Sequence, residues 1–150
     1  MEVNVVNEIV IKEEYKGYEV IVKRLGYLPY NYWYCGYVRI PEDHKFYGKD
    51  DEDLCDYIDV HGGLNFSGEL DGEDGYFIGF DCNHSYDEHS VQDDIYTLNE
   101  CRNMVEQLME VEDENWWISE ETWSNRKETR PALWSENIYF RDRNIYEVCR

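Results

Sequence analysis

The chain has 150 residues, of which 34 are acidic and 14 are basic, so its formal net charge at pH 7 is −20. A charge of this size repels phosphates, which argues against direct binding of DNA or RNA and favours a basic protein partner. The length predicts a single domain over residues 1–150. No apolar run approaches the roughly 18 residues of a membrane span, and no leader-like segment is present, so we expect a cytoplasmic protein.

The negative charge is concentrated in the middle of the chain. Residues 41–100 contain 18 acidic residues and only two lysines, whereas residues 1–40 carry five residues of each sign. The chain also contains 24 aromatic residues, 14 of which are tyrosines. Because tyrosine and tryptophan are enriched at protein interfaces, this composition predicts an acidic, tyrosine-rich binding surface.

The first 40 residues predict three strands. Branched apolar residues occur over residues 3–14 and again over 18–23, and Gly17 between them predicts a hairpin turn. Gly26 and Pro29 interrupt the pattern before an aromatic strand over residues 30–40, which Pro41 ends. Alternation places one set of its side chains on the core face and a second set on the other face. The first set is Tyr32, Tyr34, Gly36, Val38 and Ile40, and the second is Trp33, Cys35, Tyr37 and Arg39.

The centre of the chain predicts a second hairpin, in which residues 61–68 and 76–84 flank an acidic, glycine-rich turn. If the strand over residues 30–40 pairs antiparallel with the strand that begins at His61, we expect His44 to lie near His61. A parallel arrangement would bring Cys35 to the same place instead. Residues 51–57 predict a short helical turn in the acidic connection between these strands.

One helix is predicted at about residues 93–111, where Ser90 and Asp93 have the spacing of a capping box. Apolar residues then recur at helical spacing: Ile95, Leu98, Cys101, Val105, Leu108 and Met109. From Glu112 the tail holds four tryptophans, and we expect residues 137–148 to add one or two short strands. The predicted fold is α+β, a mostly antiparallel twisted sheet with one main helix packed on one face.

Histidine and cysteine residues predict a metal site at one end of the sheet. In the predicted hairpin the first residue of one strand faces the last residues of the other, and side chains two apart on an extended strand share a face. Imidazole and thiolate are ligands that zinc prefers, and four of them close a tetrahedral, structural site. The predicted ligands are His44, His61, Cys82 and His84, with Cys35 as the runner-up and Asp81 and His89 as lesser ligands or orienting partners.

Other interpretations of these residues stay open. Single histidines and cysteines are often satisfied polar or buried residues, and the chain has neither a Cys-x-x-Cys pair nor a His-Glu-x-x-His motif. The five cysteines, odd in number and without a secretory context, favour free thiols or metal ligands over disulfides. A metal-dependent hydrolase with a zinc-bound water near His61, Asp81 and Asp87 is an alternative, because three ligands with an open position indicate catalysis. A small-ligand-binding protein and a structural or accessory protein without metal are further alternatives.

Three motifs carry a resemblance over about residues 33–89. Cys35-Gly36-Tyr37-Val38, Val60-His61-Gly62-Gly63-Leu64 and Gly79-Phe80-Asp81-Cys82-Asn83-His84 follow one another in the chain, with His44 between the first two. They resemble a set of small phage and prophage proteins in which the phrases CGYV, VHGGL and GFDCxH occur in this order. The N-terminal hairpin and the tryptophan-rich tail lie outside the resemblance.

Among phage proteins of this size and acidity, the chain resembles metal-binding anti-CRISPR inhibitors of the type II effector Cas9. This resemblance implies a non-enzymatic protein of the host cytoplasm that binds a Cas9-type nuclease and blocks target-DNA loading or cleavage. The candidate ligands would then hold a structural zinc. Cas9 holds nucleic acid in positively charged channels, so an acidic partner has a physical reason to bind it.

Overall fold

The computed structural model describes residues 4–113. The elements in this range are β1 (Asn4–Tyr15), β2 (Tyr18–Leu28), β3 (Asn31–Ile40), α1 (Asp51–Leu54), β4 (Phe66–Gly68), β5 (Tyr76–Asp81) and α2 (Asp94–Asp113). The strands expected within residues 137–148 and most of the tryptophan-rich tail lie outside the described residues. Neither helix of residues 4–113 combines the length and the apolar character that crossing a membrane requires.

The predicted α+β architecture is confirmed. The five strands form one sheet in the order β1-β2-β3-β5-β4, and all four neighbouring pairs are antiparallel. The main helix, α2, packs against β1, β2 and β3. The short helix α1 falls inside the helical turn that the sequence predicts over residues 51–57.

The first hairpin is also confirmed, and it is longer than predicted. Tyr15 pairs with Tyr18 across a two-residue turn, in which Lys16 and Gly17 both have positive φ. Such a turn matches the twist of the flanking strands, and glycine at its second position favours it. Gly26 lies inside β2 and does not interrupt it. A Cβ atom there would lie 2.6 Å from the Cα of Tyr32, so the close approach of β3 requires glycine.

The expected pairing of the 30–40 strand with the His61 strand is wrong. β3 pairs instead with β5, with Cys35 opposite Asp81 and Ile40 opposite Tyr76, and β4 lies on the outer side of β5. The central hairpin exists as β4 and β5, but β4 has only three residues and His61 precedes it. The segment after β3 therefore lies at the end of the sheet where β5 begins, and the segment after β5 lies at the opposite end.

The two faces of β3 are occupied as alternation predicts. Tyr34 and Val38 belong to the main core beneath α2, whereas Cys35 and Tyr37 belong to a smaller apolar cluster on the other face. Gly36 lies where α2 crosses the strand. A Cβ atom on it would lie 2.5 Å from Cys101 Sγ, so this glycine permits the helix to approach the sheet.

The cap of α2 differs from the prediction. The Asp93 carboxylate accepts a hydrogen bond from the Tyr96 N–H at 2.9 Å, which is the contact of an N-cap with the third helical residue. The Asp93 carbonyl accepts a second bond from the Thr97 hydroxyl at 2.7 Å. Capping by Ser90 is therefore wrong, because Ser90 lies in the preceding turn. The predicted apolar stripe faces the core except for Ile95, which is 54% exposed.

An ion pair between β1 and α2 predicts a pH dependence of stability. Arg102 donates two hydrogen bonds to Glu13, at 2.8 and 3.0 Å, and these bonds lower the pKa of Glu13. Because the folded-state pKa is lowered, the ionised pair stabilises the fold above the ordinary pKa of an unfolded glutamate, about 4.3. That contribution is lost as the pH falls through the folded-state value. We expect Glu13→Gln to lower the free energy of unfolding at pH 7 and to have a smaller effect at pH 3.

Urea unfolding of both proteins at pH 7, 5 and 3 measures this difference. If Glu13→Gln lowers the free energy of unfolding by the same amount at all three pH values, the stabilisation does not come from the ionised Glu13–Arg102 pair.

Candidate metal centre

His61 lies in a loop that side chains of α2 hold in place. The Gln107 side chain accepts a hydrogen bond from the Asp59 N–H and donates one to the Asp59 carbonyl, both at 2.8 Å. Glu100 Oε1 accepts the N–H of His61 at 2.8 Å. These three bonds join loop backbone to helix side chains, so the position of His61 depends on α2.

His84 and Asp87 lie in the turn that follows β5. The Asp87 N–H donates to the His84 carbonyl at 2.9 Å, and the His84 N–H donates to Asp87 Oδ2 at 3.0 Å. The same turn places His84 Nδ1 2.7 Å from Asp87 Oδ2. The two side chains therefore meet through local backbone geometry.

The two segments meet at the Asp87 carboxylate. Its Oδ1 atom lies 2.8 Å from His61 Nε2, opposite the oxygen that His84 contacts. The Asp87 side chain is 2% exposed, His61 is 11% exposed and His84 is 25% exposed. The buried carboxylate accepts the backbone N–H of His84, and its other two contacts are imidazole nitrogens that donate or accept according to their tautomer. Within residues 4–113, these three residues alone form a group whose potential ligand atoms all lie within 4.8 Å of one another.

Neighbouring groups orient the two imidazoles. The Tyr96 hydroxyl lies 2.8 Å from His61 Nδ1, and Asp81 Oδ1 lies 3.8 Å from His84 Nε2. Burial raises the pKa of Tyr96 to about 12, so its hydroxyl stays protonated at neutral pH. The Tyr86 ring stacks on His84 with a centroid separation of 5.1 Å. Partners on the outer ring nitrogen are what metal-binding histidines characteristically have.

The donor set suits zinc. Zinc bonds of about 2.0–2.2 Å place neighbouring ligand atoms of a tetrahedron about 3.3–3.6 Å apart. The two imidazole–carboxylate separations, 2.8 and 2.7 Å, are hydrogen-bond distances, so the side chains would move apart by about 0.5–0.9 Å to hold the ion. Each imidazole could hold a metal through its inner nitrogen when its hydrogen is on the outer nitrogen, which faces Tyr96 or Asp81. Three protein ligands would leave room for a water on the ion, which is the catalytic pattern.

The structure places His44 away from this centre. Its ring is buried, accepting the Phe46 N–H at Nδ1 and contacting the Leu108 carbonyl through Nε2, both at 2.9 Å. Both ring nitrogens are therefore engaged in holding the 41–46 segment to α2. His61 contacts the same helix at Tyr96, 12 positions from Leu108, which is about 18 Å along the axis. The predicted convergence of His44 and His61 does not occur.

The two cysteines proposed as ligands are also outside the group. β5 ends at Asp81, so strand alternation does not apply to Cys82, which is buried in the main core. Its thiol lies 3.7 Å from the Thr97 hydroxyl, and burial raises its pKa to about 12. Cys35 lies in the small cluster on the other face of the sheet, where burial also raises its pKa to about 12.

Of the remaining predicted residues, Asp81 lies beside His84 as an orienting partner, and His89 stacks on Tyr32 with a centroid separation of 4.1 Å. Sequence reasoning placed Asp87 near a zinc-bound water and did not identify it as a ligand. The His-x-x-Asp spacing of residues 84–87 is the signal that indicates it, since a turn brings such residues together. Tyr96 has no comparable signal, because only the packing of α2 brings it to His61.

Comparisons of the chain with protein-family models, with curated proteins and with solved structures found no match. The function is therefore inferred from the geometry of the centre and from the distribution of charge.

Gly62 gives a prediction about this centre. It has φ +71°, and a Cβ atom on it would lie 2.6 Å from His84 Nε2. We expect Gly62→Ala to displace His84 and to weaken zinc binding by about tenfold or more, the range seen when groups that orient ligands are changed. Strain at positive φ adds a loss of stability of about 1–2 kcal/mol. Competition with a chromophoric chelator and thermal melting measure the two effects.

Gly72→Ala is the matched control, because Gly72 has φ +79° and a Cβ atom there would contact nothing within 4 Å. It should lose stability through the same backbone strain and keep its zinc affinity. Equal affinities for the two alanine variants would show that the contact of Gly62 with His84 does not matter for the metal.

Proposed function

We propose that the protein binds zinc through His61, His84 and Asp87 and acts as a metal-dependent hydrolase on a small ligand. The observation that carries this proposal is the carboxylate of Asp87, which is 2% exposed and lies between two imidazoles from separate loops. A four-ligand, structural zinc site would need further protein ligands, and the structure places His44 and Cys82 elsewhere. The three-ligand group therefore supports the hydrolase over the structural zinc protein.

The chain's own residues have distinct roles in this proposal. A bound zinc ion would supply a water with a lowered pKa and polarise the bond to be cleaved. Asp87 supplies the negative charge that attracts the cation, and its burial strengthens that attraction. The Tyr96 hydroxyl lies within hydrogen-bond distance of the outer nitrogen of His61, and Asp81 Oδ1 lies 3.8 Å from that of His84. His84, the most exposed of the three ligands, marks the side from which solvent and substrate approach.

Cobalt substitution and hydrolysis assays test the proposal on the full chain purified without a histidine tag. Protein loaded with Co²⁺ should show the absorption of a four- or five-coordinate ion with a bound water. A panel of p-nitrophenyl esters, phosphates and phosphodiesters should include a substrate whose hydrolysis stops with a chelator and returns with zinc. The variant Asp71→Asn, at an exposed carboxylate in the acidic turn, should behave as wild type. If the protein binds metal but hydrolyses no substrate of the panel in a chelator-sensitive way, it is a metal-binding protein without this activity, and the proposed hydrolase function is contradicted.

Inhibition of a Cas9-type nuclease in the host cytoplasm is the second candidate, and the acidic loops favour it. Pairing of Ile40 with Tyr76 brings the segments 41–53 and 69–75 to the same end of the sheet. Ser67 beside the second segment donates to Asp51 Oδ1 at 2.7 Å. This surface, the acidic end, contains Glu42, Asp43, Asp50, Asp51, Glu52, Asp53, Glu69, Asp71, Glu73 and Asp74.

The acidic end supports this candidate through its charge density. Its ten carboxylates are accompanied in the same segments by Lys45 and Lys49 alone, and Lys12 reaches it from β1 at 2.8 Å from Glu73. Ordered carboxylates attract a groove built for phosphates by the same electrostatics. The acidic stretch 87–94 lies at the opposite end of the sheet, beside the metal centre, so the charge forms two separate surfaces.

Binding to a Cas9-type nuclease should weaken steeply as salt rises, because the attraction is screened. The triple variant Glu52→Lys, Asp71→Lys, Asp74→Lys should lose binding at the acidic end. The variant Glu8→Lys, Glu88→Lys, Asp94→Lys, with the same change of net charge towards the opposite end of the sheet, should retain most of it. Equal losses of affinity in the two variants, or an affinity that does not depend on salt concentration, would exclude the acidic end as the binding surface.

A further inference from the structure

A small cavity lies between the start of β3 and the turn that follows β5. Its volume is about 290 Å³, close to the lower end of the range of small-molecule sites. Asp87 belongs both to the wall of this cavity and to the candidate metal centre. A ligand in the cavity would therefore lie beside the centre.

The charge of the cavity wall is negative. The wall contains the carboxylates of Asp87 and Glu88 and no lysine or arginine. The Glu88 side chain is exposed, and none of residues 4–113 makes a hydrogen bond or ion pair with its carboxylate. The Arg24 guanidinium lies 5.8 Å from the centre of the Tyr32 ring, but Arg24 is paired with Glu8 at 2.9 Å. The negative charge of Glu88 is therefore available to attract a cation.

Aromatic rings supply the other part of the wall. Tyr32 already has a partner, because its ring stacks on His89 with a centroid separation of 4.1 Å. Trp33 is partly buried against the small apolar cluster, and its indole makes no ring or cation–π contact with the other residues of the range 4–113. An indole face is the best aromatic surface for a cation. Asn31 and Asn83 add amide oxygens that accept hydrogen bonds from N–H groups.

We propose that this cavity binds the cationic group of a small ligand, an amidinium, guanidinium or ammonium, with Trp33 as the aromatic contact and Glu88 as the counter-charge. The inference deepens the proposed hydrolase and rests on it in one respect, since the ligand is a substrate only where the centre is catalytic. For that function it selects esters or amides that carry a cationic group over phosphates, because the same carboxylates repel anions.

Binding of benzamidine to the full chain tests the cavity without a measurement of activity. Benzamidine is a cation at neutral pH, and benzamide is a neutral molecule of nearly the same shape. Both are titrated by calorimetry into protein purified without a histidine tag, in buffer with a chelator, so that metal does not contribute to binding. We expect benzamidine to bind about tenfold more tightly than benzamide, from the cation–π contact and the counter-charge together.

Two substitutions locate the bound cation. Trp33→Leu should weaken benzamidine binding about fivefold, whereas Trp33→Phe, which keeps an aromatic face, should retain most of the affinity. Glu88→Gln should weaken it about threefold, the size expected for an exposed ion pair. Glu110→Gln is the matched control, because it removes the same charge from an exposed position near the other end of α2. Circular dichroism checks the fold of the Trp33 variants, and Glu88 is exposed, so its replacement leaves the core intact.

Equal affinities for benzamidine and benzamide, or no binding of either, overturn the proposal. An affinity that neither Trp33→Leu nor Glu88→Gln lowers overturns it as well. A loss in Glu110→Gln as large as that in Glu88→Gln would show that the overall charge of the chain attracts the cation, and it also overturns the assignment. The hydrolase fails separately. Selective benzamidine binding that depends on Trp33 and Glu88, without chelator-sensitive hydrolysis of any substrate, supports the cavity as a cation site and contradicts only the enzyme.

Discussion

Replacing Asp87 with asparagine is expected to weaken zinc binding by about 100-fold or more. Changes to groups that only orient ligands already cost 10–100-fold, and this change removes a charged ligand while keeping its shape. The substituted side chain would present an amide N–H₂ to one of two imidazoles that now contact carboxylate oxygens. Competition with a chromophoric chelator measures the affinity, and circular dichroism checks that the fold persists.

Cys82→Ser is the decisive companion variant, because Cys82 is a ligand in the site that the sequence predicts and a core residue in the structure. It should bind zinc as wild type does and lose stability through the polar hydroxyl placed in the core. Loss of zinc in Cys82→Ser together with full binding in Asp87→Asn would overturn the three-residue centre and restore the sequence-derived ligand set.

Replacing His44 with alanine is expected to lower the free energy of unfolding by about 2–4 kcal/mol while leaving zinc affinity unchanged. The substitution removes a buried ring and leaves the Phe46 N–H and the Leu108 carbonyl without this partner, and each of these losses is costly. Urea unfolding in a metal-free buffer measures the stability, and the chelator competition measures zinc binding.

His89→Ala is a matched control, since His89 stacks on Tyr32 at the rim of a small cavity of about 290 Å³. It should cost about 1 kcal/mol or less, the value of an aromatic contact. A small effect of His44→Ala, or loss of zinc in that variant, would show that His44 is a ligand in solution.

The predictions for Asp87→Asn and His44→Ala distinguish two roles of histidine in this chain. His44 holds a connecting segment to α2 with both ring nitrogens, and its loss is measured as stability. His61 and His84 have one nitrogen each on the Asp87 carboxylate, and in the proposed centre their loss would be measured as metal affinity. Removing zinc from wild type should lower the melting temperature only to the extent that binding stabilises the folded state by mass action.

Local patterns in the sequence determined much of the fold. Lys16-Gly17 between two branched runs predicted the first turn, because only residues that tolerate positive φ fit it. Alternation along residues 30–40 predicted which side chains face α2, and the apolar repeat of residues 98–108 predicted the helix that covers them. These features depend on neighbours within a few positions, so the sequence alone is sufficient for them.

Tertiary structure alone decided which strand lies beside β3 and hence which histidines meet. An antiparallel partner in β4 and one in β5 satisfy the same local pattern. With β5 in that place, His44 and His61 contact positions of α2 that are 12 residues, or about 18 Å of helix rise, apart. The end of β5 at Asp81 removed Cys82 from the predicted face, and the turn that follows brought Asp87 to His84 instead. Ligand groups depend on contacts between distant segments, which local periodicity does not specify.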